Sequence, residues 1–343
     1  MSNRGHSSNS SDHPNPALVQ LVRGDRVESI HRGALVLADA AGRVVLAMGD
    51  GEQVCYPRSA LKMFQALPAV TMGITSDLHF SGEDHALLMA SHSGEPAQTK
   101  RVAAMLEKLQ LSMDDLECGC HEPYHHATAF DLEKNGQQPC PLHNNCSGKH
   151  TGMLATAVAQ RLSTKNYIAP DHGVQVAITR VLEHYCGTTL TAPAVDGCSA
   201  PTWCLPLQNM AMGLARWGTG FADAHACQLL FRSATAHPYF IAGTGRHCTD
   251  VMQTLSAQVL VKMGAEGFYA VVVPSLGLGA VIKIDDGHSR AAELVLNSLL
   301  QYLRLKNADR LLTSKPIKSF RGIPAGEIAI TPALANILRL ATT

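Results

Sequence analysis

The strand-forming segments of this chain sit at its two ends, and a long helix-patterned stretch separates them. Leu18-Val19-Gln20-Leu21-Val22, Ala34-Leu35-Val36-Leu37 and Val44-Val45-Leu46-Ala47 have the aliphatic, β-branched make-up of half-buried strands. The Asp39-Ala40-Ala41-Gly42 break between the last two predicts a hairpin. Far downstream, Phe268-Tyr269-Ala270-Val271-Val272-Val273 and Gly279-Ala280-Val281-Ile282-Lys283-Ile284 predict two more strands, joined around Pro274-Ser275-Leu276-Gly277. Between these ends, Val102, Met105, Leu106 and Leu109 share one helical face, as do Val174, Ile178, Val181, Leu182 and Tyr185, the spacing of amphipathic helices. Ser81-Gly82-Glu83-Asp84 reads as a helix start, and Leu294, Leu299, Tyr302 and Leu303 mark a last amphipathic helix. The expectation is an α+β fold. One antiparallel sheet is built from residues 17–56 and 262–343, with a mainly helical region, 57–261, inserted between them.

Composition narrows the function classes. Hydrophobic residues make up 46% of the 343 and charged ones 16%, which predicts a compact globular chain; residues 17–343 are read as one catalytic domain. Lys+Arg and Asp+Glu both total 28, so no overall field favours nucleic acid or an anionic membrane. No apolar run has the length of a membrane-spanning helix. Residues 1–16, rich in Ser, Asn, His and Pro, read as a flexible tail rather than a signal peptide. Cytoplasm is the expected compartment. The ten cysteines then suggest reduced thiols or metal ligands more than a disulfide framework, with Cys55, Cys186 and Cys227 expected to pack in the core.

Ser59 and Lys62 form the only Ser-x-x-Lys in the chain. On a helix, residues three apart share a face. A lysine whose pKa is lowered by burial can take the proton of such a serine and make it nucleophilic. Ser91-His92-Ser93 and Lys262-Met263-Gly264 follow, in the chain order that serine acyl enzymes use for Ser-x-x-Lys, Ser-Asp-Asn and Lys-Thr-Gly; the order matches, the triplets only in part. Ser91 or Ser93 is also a candidate cap for the helix beginning near Pro96. Glu95 is a candidate for a substrate ammonium or for the positive end of that helix.

Two further blocks stand out, Asn144-Asn145-Cys146-Ser147-Gly148-Lys149-His150 and Asp196-Gly197-Cys198-Ser199-Ala200-Pro201. Two thiols from separate loops can meet on zinc. Lysine is not an ordinary zinc ligand, and two buried thiols are the alternative reading. The upstream glycine of a phosphate loop is missing, which excludes nucleotide binding by this turn. His121, His125, His126 and His143, with Cys118, Cys120 and Cys140, read as a polar loop without a catalytic role.

Together these segments resemble the class 3, rhizobial-type L-asparaginase family, often called the asparaginase II family. Arg58 to Lys62, Ala90 to Pro96, Cys118-Gly119, Asn144 to His150, Asp196 to Pro201 and Gly243-Thr244-Gly245-Arg246 carry the resemblance. It implies a serine β-lactamase-like fold, related to the penicillin-binding proteins, and a homodimer that hydrolyses the side-chain amide of L-asparagine to L-aspartate and ammonia. Carried over by position, it implies two Ser-Lys pairs, Ser59 with Lys62 and Ser91 with Lys262. It also implies a metal position, normally zinc, formed by Cys146, Lys149 and Cys198 with Asp196 nearby, and substrate contacts from Arg58 and His150. Met63 stands where the family commonly has proline, and Met263 is a second departure; neither replaces a reacting group. The expected mechanism is a covalent acyl-enzyme on Ser59, with Lys62 as its base and Ser91 and Lys262 relaying a proton to the departing ammonia. A serine glutaminase of similar fold, or an amino-acid- or metal-binding relative without activity, are the alternative functions.

Overall fold

The computed structural model describes residues 15–340. Residues 1–14 of the expected tail lie outside the described residues. Asn15 already belongs to the fold: it is 2% exposed, and its Nδ2 donates to Gln53 Oε1 and Asp285 Oδ1 at 3.1 and 2.8 Å. Packing therefore begins ahead of residue 17.

The chain opens with β1 (Ala17–Arg23), β2 (Arg26–Asp39) and β3 (Val44–Met48), and returns late with β4 (Leu260–Met263), β5 (Phe268–Val273), β6 (Leu278–Ile284), β7 (Ser314–Lys318) and β8 (Pro324–Ile330). These eight strands form one sheet in the order β7-β8-β1-β2-β6-β5-β4, with β3 also paired to β2, and every neighbouring pair is antiparallel. The fourteen-residue β2 is the junction. Its first half faces β1, with His31 opposite Val19; its second half faces β6, with Val36 opposite Val281, and β3, with Leu37 opposite Leu46. Both chain ends thus share one sheet, as expected from the placement of the strand signals. The short Val54–Cys55 strand departs from that expectation. It pairs with Leu205–Pro206 outside the main sheet.

β5 is buried along its whole length, so both faces of the sheet are covered there. The Leu207–Thr219 helix packs on β2, β5 and β6, and the Ser289–Tyr302 helix on β1, β5, β6 and β8. The Ala224–Ala236 and His247–Leu255 helices pack on β4, and the Gly173–Cys186 helix packs on Leu207–Thr219. Within the helical region, Ser81 caps the Gly82–Leu88 helix by accepting from the Asp84 N–H, while Asp84 accepts from the Ser81 N–H, the reciprocal box that satisfies two end groups at once.

The Ser147–Ala159 helix crosses Gly82–Leu88 so closely that a Cβ at Gly148 would collide with the Leu87 carbonyl oxygen. Gly148 therefore sets the distance between two site-bearing helices. Gly148→Ala is expected to cost about 1–3 kcal/mol of stability, the usual range for overpacking. Thermal unfolding of the variant beside the parent checks it.

Candidate active site

A cavity of about 500 Å³ opens beside the β4 edge, lined among others by Arg58, Ser59, Ser91, Asn145, Cys146, Asp196, Cys198 and Met263. Seven chain segments meet there. Ser59 lies in the 3-10 turn Arg58–Leu61, entered through Arg58 at φ 52°, a left-handed conformation that costs a non-glycine residue strain. Ser91 ends the loop after Gly82–Leu88; its N–H donates to the Ile241 carbonyl, and the next N–H, of His92, to Asn145 O. Cys146 precedes the Ser147–Ala159 helix, and its N–H donates to Asn144 Oδ1. Asp196 to Ala200 closes a tight turn, Asp196 N–H to Ala200 O and Ser199 N–H to Asp196 O, both at 2.9 Å.

The two lysines converge on one hydroxyl. Lys62, 0% exposed, donates to Ser91 Oγ at 2.8 Å, to Ala90 O at 2.5 Å and to Cys146 Sγ at 3.1 Å. Lys262 Nζ, 1% exposed, lies 2.7 Å from the same Ser91 Oγ and 2.9 Å from Met263 O. No hydrogen bond joins Ser59 Oγ to Lys62 among the described residues. Of the two expected pairs, Ser91 with Lys262 is present and Ser59 with Lys62 is not. Lys62 joins the other pair to make a connected group, Lys62–Ser91–Lys262, and no partner of the Ser59 hydroxyl is found among the described residues. The reason is local: Lys62 opens the buried Lys62–Gln65 helix, and its amine is engaged by the Ala90 carbonyl and Ser91.

Burial, and after it the repulsion of Lys62, push the Lys262 pKa well below 10.5. A neutral Lys262 amine offers a lone pair to the Ser91 proton while Lys62 donates to the same oxygen.

Beside this group, Lys149 Nζ donates to Cys198 Sγ at 2.9 Å. The Cys146 thiol hydrogen-bonds to Cys198 and, with Lys149, lowers the Cys198 pKa to about 4 against its burial. The same contact and burial push Cys146 up to about 12. The contact favours negative charge on Cys198 and the proton on Cys146. Asp196 Oδ1 accepts from Arg58 Nε at 2.7 Å and Gly197 N–H at 2.8 Å, and pairs with Arg58 Nη2 at 2.6 Å. Burial opposes its ionisation, but the Lys149 charge, the Gly197 N–H and Arg58 hold its pKa below the usual value.

Three sequence assignments change place. Glu95 does not line the cavity; its carboxylate accepts from the Thr244 N–H at 2.7 Å and from Thr244 Oγ1 at 2.8 Å, so it holds the 243–246 loop. Neither Ser91 nor Ser93 caps the Pro96–Lys108 helix, whose cap position is Glu95; Ser93 Oγ donates to Ala242 O. His150 lies behind the lining, fully buried. Tyr167 OH, which accepts from the Glu117 N–H, is hydrogen-bonded to His150 Nδ1 at 2.7 Å. The His150 Nε2 has no partner among the described residues. Three lining residues were missed: His121, whose Nε2 accepts from the Asn145 N–H, Tyr124, stacked on it at 4.8 Å, and Arg246. The histidine-rich stretch carried the first, and Arg246 stood in the Gly243-Thr244-Gly245-Arg246 block without a role assigned to it; nothing distinguished Tyr124.

A sequence model of the L-asparaginase II family matches residues 19–330. The chain belongs to this family. No curated protein matches it. Among solved structures it aligns with Mglu in its native form at 13% identity, covering 80% of this chain and 64% of that one, with a TM-score of 0.46. Against a candidate β-lactamase from Bacteroides dorei the identity is 12%, the coverage 79% and 85% and the TM-score 0.38. Against a LovD variant, the simvastatin synthase of Aspergillus terreus, the values are 11%, 74% and 86%, and 0.40. The chain thus spans just under two thirds of the length of Mglu. The antiparallel sheet built from both chain ends, with helices inserted between them, is the α+β architecture expected from the order of the strand signals. No helix among the described residues is long and apolar enough to cross a membrane.

Proposed function

We propose that this member of the L-asparaginase II family hydrolyses the side-chain amide of L-asparagine to L-aspartate and ammonia through a serine acyl-enzyme. The observation that carries the reading is Ser91 Oγ held between two buried lysine amines in the wall of a cavity that Ser59 also lines. Ser59, with a free hydroxyl on the cavity side, is the nucleophile. Ser91 and its lysines collect the Ser59 proton when substrate closes the remaining gap, since catalytic contacts often tighten only in the complex. The Ser59 oxygen bonds to the amide carbon, the C–N bond breaks, and the relay returns the proton to the leaving ammonia. Water then cleaves the ester to give L-aspartate. The Ser59 N–H, in the first turn of a helix and outside its ladder, is placed to donate to the tetrahedral oxyanion.

Ammonia release decides between this reading and a glutaminase. Asparagine is expected to exceed glutamine in kcat/KM by about 10-fold or more, the scale on which one methylene is discriminated. Equal turnover, or preference for glutamine, overturns the assignment. Asparagine binding without ammonia would instead leave an inactive relative.

Zinc is part of the proposal. The described residues contain no cluster of three or more His, Cys, Asp or Glu able to hold a metal, so only a set that includes an amine fits. Cys198, Cys146 and Lys149 supply two sulfurs and a nitrogen at one point, with Cys198 the more acidic of the two thiols. Bound there, zinc would fix the loops carrying Asp196 and Cys146 around the substrate. The donors must shed protons on binding, so occupancy should rise with pH. Metal analysis of the purified protein should find about one zinc per chain, released by a strong chelator and absent in Cys198→Ser. An unchanged KM and kcat after its removal would reject the positioning role. A homodimer in the cytoplasm completes the proposal, and sedimentation tests the dimer.

A further inference from the structure

Two guanidinium groups line the cavity, and they differ in one respect. Arg58 is matched by the Asp196 carboxylate. Arg246 has no carboxylate within ion-pair distance among the described residues. Its Nη1 donates to Ser93 Oγ at 3.2 Å, its Nη2 to Met263 Sδ at 2.9 Å, and its plane lies 5.7 Å from the Tyr124 ring centroid. All three partners are neutral. They fix the side chain without cancelling its charge.

The loop that carries it is built to hold still. Gly243, at φ 113°, has no room for a side chain; a Cβ would lie 2.6 Å from Ser93 Oγ and 2.7 Å from Glu95 Oε1. Glu95 gives one carboxylate oxygen to the Thr244 N–H and the other to its hydroxyl, so the loop's own acid is spent on the backbone rather than on Arg246. Glu95 is therefore a positioning residue. An arginine held by neutral contacts in a cavity wall suits the planar, two-point recognition of a carboxylate.

Resting on the amidohydrolase reading, we infer that Arg246 binds the α-carboxylate of the substrate and sets the requirement for a free amino acid. Arg58, already neutralised, serves to orient Asp196. The cavity therefore selects amino-acid amides with an unblocked α-carboxyl group over simple amides and over asparagine within a peptide.

The test compares L-asparagine with 3-aminopropanamide, which keeps the side-chain amide and the amine but lacks the α-carboxylate. The parent protein is expected to favour asparagine strongly. Arg246→Met should raise KM for asparagine about 10–100-fold, the scale of a charged hydrogen bond, with kcat within a few-fold, as expected when binding is lost equally in ground and transition states. Arg246→Lys should recover part of the loss, and turnover of 3-aminopropanamide should be alike in all three proteins. An unchanged KM for asparagine, or equal losses on both amides, overturns the assignment. Calorimetric titration of the two amides into Ser59→Ala and into Ser59→Ala/Arg246→Met reads the same preference without turnover. Absence of ammonia from the parent would sink the reaction, whereas equal binding of both amides by Ser59→Ala would sink only Arg246.

Discussion

Ser59→Ala is expected to lower kcat for L-asparagine by about three orders of magnitude or more, the scale on which removing a nucleophile acts, while the protein stays folded. Folding should survive because Ser59 is half-buried and its hydroxyl has no partner to lose among the described residues. A residual rate above that of water would come from binding and oxyanion stabilisation alone. Ser91→Ala provides the contrast. It removes the oxygen shared by Lys62 and Lys262 but leaves the attacking hydroxyl, so acyl-enzyme should still form, more slowly. Mass measurement of protein quenched during turnover reads this directly, since the adduct should appear on Ser91→Ala and never on Ser59→Ala. The reverse pattern would move the nucleophile to Ser91, the hydroxyl that the resting structure already couples to both amines.

Much of the fold could be read from residue order because its signals were strong and separate. The apolar runs of β2, β5 and β6 are buried on both faces, so nearly every position had to be aliphatic or aromatic. β7 and β8 were not separately legible. β7 is an edge strand of Ser314-Lys315-Pro316-Ile317-Lys318, and β8 begins at a proline and contains Gly326. An edge tolerates proline and charge, which erases the pattern that marks a strand. The candidate site was legible as parts but not as an assembly. Ser59, Ser91, Lys62, Lys262, Cys146 and Cys198 do gather at one place. Yet spacing along a helix could not reveal that Lys62 would reach across twenty-nine positions to Ser91 rather than to its near neighbour. Of the two roles open to Glu95, the helix end holds, since it stands at the cap position of Pro96–Lys108; a buried carboxylate and a ligand-binding one look alike in sequence, and only its contact with Thr244, on a loop 149 residues away, separates them.

Lys262→Met should cut kcat by about two to four orders of magnitude, the range for a positioned proton-transfer group, and should also change the shape of the pH profile. The second effect carries the argument. Burial and Lys62 hold the Lys262 pKa well below 10.5, and only its deprotonated form has a lone pair for the Ser91 proton. Below that depressed pKa the amine is charged and cannot accept; above it the amine is free, so kcat/KM in the parent should climb as pH rises through that pKa and then level. Methionine fills a similar volume without an amine, so the residual activity of the variant should lose that rising limb. A lysine that only packed or paired would lower the rate without altering the limb. A parent profile flat from about pH 6 to pH 9 with chemistry rate-limiting would count against a lysine base, because a titrating base must leave a limb in kcat/KM. Lys62→Met would then show whether the repulsion between the amines is what keeps Lys262 neutral. Removing that positive neighbour should let the Lys262 pKa rise, shifting the limb to higher pH by the amount the two charges oppose each other.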